Sequence, residues 1–331
     1  MKAIVYRNYG SADVLVCEDT VKPTIAGDQV LIKVHAASVN PLDWHFMHGR
    51  PYLLRLMAGL RVPKDPRLGT DVAGQVEAVG PSVTHLKPGD EVFGVCSGAF
   101  AEWACACESK LVHRPGNITV EQAAAVPVAA ITALQGLRDK GQIQPGQKVL
   151  INGAAGGVGT FAVQIAKSFG ADVTGVCSTR NMAMVQSIGA DQTIDYTQTD
   201  FTAGDSRYDL ILDCIGNHPL LNCRRILNPS GAYIIVGAPD GRWIGGFMRA
   251  LKAMALSRFV SQKMLMFLAQ INQPDLRTIR DLIASGKVTP VIDRCYPLSE
   301  VREAIRYLEA SHARGKVILL VAPPVAGRAS G

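Results

Sequence analysis

The 331 residues are 48% hydrophobic and 19% charged, which excludes disordered and fibrous classes and is long enough for two domains around a sizeable core. The formal charge of +6 suits an anionic cofactor, but no Lys/Arg block is dense enough to make nucleic acid an expected partner. No apolar run is long enough to span a bilayer, Met1–Gly10 reads as a strand rather than a leader, and the eight cysteines are scattered as reduced thiols would be, so the expected compartment is the cytoplasm.

In chain order, residues 1–125 are rich in short alternating strands, such as "QVLIKVHAASV" and "VAGQVEAVG". From 126 to 288 the texture changes. "QAAAVPVAAITALQGLRDKG" reads as a helix, "KVLING" as a strand and "GTFAVQIAKSFG" as a helix. "DVTGVC", "MAMVQSIG", "QTID", "YDLILDCIG" and "GAYIIVG" continue the alternation, and "PDLRTIRDLIASGKV" is a further helix. Strands alternating with helices predict a doubly wound parallel sheet. Residues 289–331 return to a strand-helix-strand pattern. The fold class expected is therefore α/β, with a β-rich domain and a nucleotide-binding domain of the Rossmann type. Residues 241–260 read as a basic amphipathic helix, either a cover for a cleft or a surface for peripheral membrane contact.

Two corners carry the chemistry. In "VLINGAAGGVG" a strand runs into Ala154, Gly156, Gly157, Val158 and Gly159 and a helix begins. Ala154, Gly156 and Gly159 hold the three positions of the dinucleotide fingerprint, where Gly156 admits a pyrophosphate and Gly159 lets helix and strand pack closely. The second corner, "DVTGVCSTRN", offers Ser178, Thr179 and Arg180 where an NAD site carries an acid. A carboxylate would repel a 2′-phosphate, whereas a guanidinium clamps it. The cofactor expected is NADPH.

With these corners on the page, "SVNPLDW", "LGTDVAGQVEAVG", "KPGDEVFG", "GAFAEW", "AAAVPVAAITALQGL", "NGAAGGVG", "DLILDCIG" and "ARGKVIL" appear in an order that resembles the zinc-independent branch of the medium-chain dehydrogenase/reductase superfamily, the quinone oxidoreductase-like proteins. The resemblance covers nearly the whole chain. It implies a GroES-like catalytic domain, built from both ends of the chain, and an inserted Rossmann domain, with cofactor and substrate meeting between them.

The resemblance also speaks to zinc. Zinc-dependent relatives carry a cysteine ligand where this chain has Asn40, and Gly-His-Glu where it has Gly69-Thr70-Asp71; the four-cysteine structural lobe is missing. His45 and His48 read as loop or surface residues, and no catalytic metal is expected. The implied reaction is hydride transfer to a quinone or an α,β-unsaturated carbonyl, acceptors that spread negative charge without a Lewis acid. An alcohol or carbonyl dehydrogenase, and a nonenzymatic NADPH-binding protein, are the alternatives. Family positions implicate Asn40 as a donor to the acceptor carbonyl, Asp43 as an orienting group and Tyr52 as a donor to substrate. On the cofactor side they implicate Thr132, and Arg314, Gly315 and Lys316, while Cys214, Ile215 and Gly216, with Val236 and Gly237, end strands where an open sheet presents its ligand, and Tyr196 follows the third strand beside the 2′-phosphate or adenine. Arg314, Gly315 and Lys316 would contact phosphate or close the cleft, with Lys316 equally readable as a surface charge. The apolar run 263–270 is the candidate edge for a homodimer.

Overall fold

The computed structural model describes residues 1–237, 252–253, 260–310 and 313–321. Most of the 241–260 segment therefore lies outside the described residues. The chain opens with β1 (Lys2–Val5) and β2 (Val16–Asp19), an antiparallel pair. β3 (Gln29–Val39) follows, then α1 (Pro41–His48), a 3₁₀ turn (Tyr52–Leu54) and α2 (Arg55–Ala58). Next come β4 (Asp71–Val79), β5 (Glu91–Val95), β6 (Trp103–Cys107) and β7 (Leu111–His113). The stretch expected as one helix from 122 is two, α3 (Val120–Ala124) and α4 (Pro127–Leu134), the second running on into a π-helical stretch (Gln135–Lys140). Pro127 explains the split, because its ring presets the first helical φ while removing an N–H donor.

The parallel sheet is then laid down. β8 (Lys148–Asn152), α5 (Gly157–Ser168), β9 (Asp172–Cys177), α6 (Met182–Ser187), β10 (Gln192–Asp195), β11 (Tyr208–Asp213), α7 (Leu220–Arg225), β12 (Leu227–Ile235) and β13 (Lys263–Met266) follow in turn. The six strands stand in the order β10-β9-β8-β11-β12-β13, with every pairing parallel. This is the doubly wound order that reverses between β8 and β11, where such sheets bind their ligand. The apolar runs "KVLIN" and "YDLILD" are buried along nearly their whole length, as strands covered on both faces must be.

After α8 (Gln273–Ala284) the chain returns to the first sheet with β14 (Ile292–Pro297), α9 (Val301–Glu309) and β15 (Lys316–Leu320). β15 pairs antiparallel with β3, so this sheet is completed by strands from both ends of the chain, in the order β14-β15-β3-β4-β5-β7 with β6 also on β3. A single apolar cluster joins Ala36, Ala73 and Phe93 of that sheet, through Ala130 and Leu134 of α4, to Val149 and Ile151 of the parallel one and Phe161 of α5. The two halves are thus packed through α3 and α4, the ends of β8 and β11 meet through Asn152 and Asp213, and the start of β15 meets the N-terminus of α5 through Gly315 and Gly156.

Candidate active site

The glycine corner is built by backbone geometry. Gly153 leaves β8 in the left-handed region (φ +83°), a conformation that favours glycine. Ala154 is buried and its N–H donates to Val176 O at 3.0 Å, tying the corner to β9. Gly156 is the N-cap of α5 in an extended conformation, with no side chain capping the helix. The first-turn N–H groups at Gly157, Val158 and Gly159 are therefore left for an anion. A Cβ on Gly159 would overlap the Gly153 carbonyl oxygen and lie 2.8 Å from the Ala154 Cα, whereas one on Gly156 would meet only the Gly153 oxygen, at 3.4 Å. The third glycine serves packing, and the second leaves the approach to the helix end open.

Across the switch point, Ile215 lies over Gly153, close enough that a Cβ there would come within 2.8 Å of it. The loop Cys214–Gly216 is held by a residue that sequence reasoning missed. Asp213, buried at the end of β11, accepts from the N–H groups of Ile215 and Gly216 and from Asn152 Nδ2 (3.1, 2.8 and 2.8 Å), and from the Tyr233 hydroxyl. Its backbone oxygen accepts from Val236 and Gly237. The candidate residues of β11 and β12 thus share one anchor. Thr132, half-buried on α4, donates its hydroxyl to Val128 O at 2.6 Å.

At the second corner Ser178 ends the strand, and Thr179 and Arg180 are exposed in a 3₁₀ turn. The structure adds Asp195, at the end of β10, which accepts from the Thr179 hydroxyl and from the hydroxyl and N–H of Thr197. Those donors, the Thr179 hydroxyl foremost, hold its carboxyl below the usual carboxylate range. This acid is consumed in fixing the turn, and Tyr196 beside it is exposed.

The third part joins the halves. Gly315 N–H donates to Ala155 O at 2.9 Å, and Gly315 forms a parallel bridge with Gly156. The next residue, Lys316, is 4% exposed, which corrects its reading as a surface charge. Its stem passes Gly157 (a Cβ there would lie 3.1 Å from Lys316 Cδ), and its ammonium reaches Asn40 Oδ1 at 2.6 Å and Asp71 Oδ2 at 3.5 Å. Asn40 Nδ2 donates to Asp71 Oδ2 at 2.9 Å and Ser38 Oγ donates to the same oxygen at 2.7 Å, while Val128 N–H donates to Asp71 Oδ1 at 3.0 Å. Burial pushes the Lys316 pKa down, against the opposing pull of Asp71 and Asp43.

This network also corrects the role of Asn40. A lysine only donates and a carboxylate only accepts, so the amide must turn its oxygen to Lys316 and its nitrogen to Asp71. The second amide hydrogen faces Ser38 O at 3.4 Å, so the amide is engaged inside the protein rather than offered to an acceptor carbonyl. Asp43 accepts from the Asn40 N–H at 2.8 Å from the first turn of α1. Burial, more than any neighbour, pushes its carboxyl up to about 7. Its bond is to the Asn40 backbone and closes the first turn of α1. Arg314 is exposed, with its N–H on Asp293.

Tyr52 stands apart, half-buried in its 3₁₀ turn with the Arg55 guanidinium 5.0 Å over its ring. His45 and His48 are on α1 rather than in a loop, His48 facing Glu309 at 2.7 Å. Among the described residues no group of three or more His, Cys, Asp or Glu could hold a metal ion. The residues at the zinc-ligand positions do not fit that metal. Asn40, Thr70 and Asp71 offer no thiolate or imidazole, and the Lys316 ammonium already sits among them.

The sequence matches two family models, described as "Alcohol dehydrogenase GroES-like domain" over residues 26–179 and "Zinc-binding dehydrogenase" over residues 188–319. It is 35% identical to the chloroplast envelope quinone oxidoreductase homolog of Arabidopsis thaliana, over 96% of this chain and 98% of that protein. It is also 35% identical to the NADPH-dependent alkenal/one oxidoreductase of the same plant, over 98% of this chain and 80% of that protein. The solved quinone oxidoreductase of Coxiella burnetii superposes with a TM-score of 0.85 at 31% identity, covering 97% of this chain and 99% of that one. The chain therefore belongs to the medium-chain dehydrogenase/reductase superfamily, with quinone oxidoreductases among its homologues, and is an oxidoreductase of the two-domain GroES-like and Rossmann type.

Proposed function

We propose that this protein is an NADPH-dependent, zinc-independent reductase that delivers hydride to a quinone or an α,β-unsaturated carbonyl. The observation that carries the reading is the continuous wall from the uncapped end of α5 to the buried Lys316–Asn40–Asp71 cluster. One end suits phosphate, and the other pairs Asn40 and Asp71, at the family's zinc-ligand positions, with an ammonium. The names of the Arabidopsis relatives agree with such acceptors.

The bound cofactor would supply the hydride. The residues of this chain do the rest. The N–H groups at the start of α5 bind the pyrophosphate, and Arg180 takes the 2′-phosphate with charge-assisted bonds. Cys214–Gly216, Val236 and Gly237, held by Asp213, with Thr132 opposite, position the nicotinamide. Quinones and enones accept hydride at carbon and spread the resulting charge onto oxygen, so a fixed electrostatic environment suffices. The product's proton comes from water, since the carboxamide of Asn40 is no acid and its N–H groups already face Asp71 and Ser38. An alcohol dehydrogenase reading would need a Lewis acid at Asn40, where an ammonium stands instead. We divide the chain functionally into catalytic parts 1–125 and 289–331 around a cofactor domain 126–288. The outermost strand β13, with Leu268 exposed just beyond it, is the edge through which two copies would pair.

Turnover of an enone with NADPH deuterated at C4 tests the reading. Deuterium at the β-carbon and a solvent proton at the α-carbon are expected. Product without deuterium would refute direct hydride delivery.

A further inference from the structure

Between α1 and β4 the chain makes an excursion whose side chains face the wrong way for a soluble surface. Leu53, Leu56, Met57, Leu60 and Val62 are between 52% and 78% exposed, five large apolar residues within ten positions. Apolar side chains gathered like this mark a contact surface rather than scattered exposure. The excursion is not loosely attached. The Arg55 guanidinium lies over Tyr9 and Tyr52 (4.4 and 5.0 Å) and donates to the backbone oxygens of Gly49 and His48. The Tyr9 hydroxyl donates to Gly59 O at 2.5 Å, and Lys64 N–H to Ala58 O at 2.7 Å. The polar anchors lie at the base, and the apolar side chains are held out in water.

The charges around the tip are of one sign. Residues 50–64 contain Arg50, Arg55, Arg61 and Lys64 and no acid. Arg50, Arg61 and Lys64 are exposed. The flanking acids are occupied, Asp43 being buried and Asp65 bound to Arg67 and Ser97. Protruding apolar side chains with a ring of cations match an anionic lipid surface, where acyl chains take the former and phosphates the latter. A 3₁₀ turn of three residues and a four-residue helix make the tip.

We propose that residues 53–62 dock this protein peripherally onto an anionic bilayer. The inference stands on this surface alone and does not depend on the reductase reading. It places membrane contact on a different part of the chain from the basic 241–260 segment.

The test is co-sedimentation of the full-length protein with vesicles of phosphatidylcholine alone or with added phosphatidylglycerol, at low and high salt. Wild type should partition onto the anionic vesicles at least about tenfold better than onto neutral ones, with the difference lost at high salt. The Leu56→Ser/Met57→Ser/Leu60→Ser variant and, separately, Arg61→Glu/Lys64→Glu should each cut partition about tenfold or more, with unchanged circular dichroism, since all five side chains are solvent-facing. Equal partition of wild type onto both vesicle types, or an apolar variant that partitions like wild type, would overturn the proposal. So would loss of binding only in Arg249→Glu/Lys252→Glu, which would move the contact to the 241–260 segment. A wild-type dimer that the apolar variant abolishes, with no vesicle binding, would make the tip an interface between copies. A raised KM for a quinone with unchanged partition would make it a wall of the substrate site.

Discussion

Adding one methyl group at Gly156 and at Gly159 separates phosphate binding from packing. Gly156 has φ −83° and ψ 178°, which alanine adopts freely, and its Cβ would meet one oxygen at 3.4 Å. Gly156→Ala should therefore fold normally and gain about 0.4–1 kcal/mol from the reduced entropy of its unfolded chain. The same methyl stands where the pyrophosphate must approach. Losing one bond to a charged group, about 1.5–3 kcal/mol, weakens NADPH by about 10- to 150-fold at roughly 1.4 kcal/mol per decade. At Gly159 the new Cβ falls 2.8 Å from Ala154 Cα, about 0.6 Å inside the 3.4 Å at which ordinary contact begins. The obstacle is backbone, so α5 must shift. Overpacking of this kind costs about 1–3 kcal/mol, and the displaced helix end binds phosphate poorly too. Calorimetric melting and NADPH titration of both variants give the answer. A Gly156→Ala protein that binds NADPH like wild type would refute the placement of the phosphates, and a Gly159→Ala protein as stable as wild type would refute the packing argument.

Other expectations follow from the remaining contacts. Arg180→Ala should raise the Kd for NADPH about 10- to 100-fold while leaving NADH within about twofold, the loss of one clamped phosphate; isothermal titration with both cofactors checks it. Lys316→Met leaves Asp71 buried without its cation and should cost about 3–5 kcal/mol in denaturant unfolding, with Lys316→Met/Asp71→Asn recovering a large part. For Asp43 the folded-state pKa, about 7, lies above that of an unfolded aspartate. The folded protein thus holds an extra proton between pH 4 and 7, and its contribution is full below that window and lost as pH rises through it. Unfolding free energies of wild type minus Asp43→Asn should fall from pH 4 to 7 and then level, and a flat difference would contradict the assignment.

The sequence made the two corners legible because a phosphate site at a helix end needs small residues at fixed offsets, and those offsets are local. The doubly wound order followed from the same alternation of strand and helix. What escaped was set by register and distance. Asp71 meets Ser38 because β4 pairs with β3 in that register, and Asp71 and Asn40 meet Lys316 across 245 residues or more of chain. A sign of Lys316 was present: it opens "GKVILL", an apolar run buried on both faces, where even a terminal lysine stem is enclosed. Asp213 read as an ordinary strand end, since its partners are two backbone N–H groups and the side chains of Asn152 and Tyr233 on neighbouring strands, which no local pattern reveals. Asp195 lies on β10, and parallel pairing of β10 with β9 is what carries it to Thr179. Tyr52 was placed by analogy in a segment of different length, and the structure puts it with Arg55 and Tyr9 at the base of the exposed tip.

The central claim is hydride transfer from NADPH to an activated acceptor without a metal. It is tested most directly by following cofactor oxidation at about 340 nm, with NADPH or NADH, against 1,4-benzoquinone, 9,10-phenanthrenequinone, an alkyl enone and a simple aldehyde, each with and without chelator. Turnover of quinone or enone that prefers NADPH and ignores the chelator is the predicted result. Turnover of the aldehyde alone, abolished by the chelator, would contradict it.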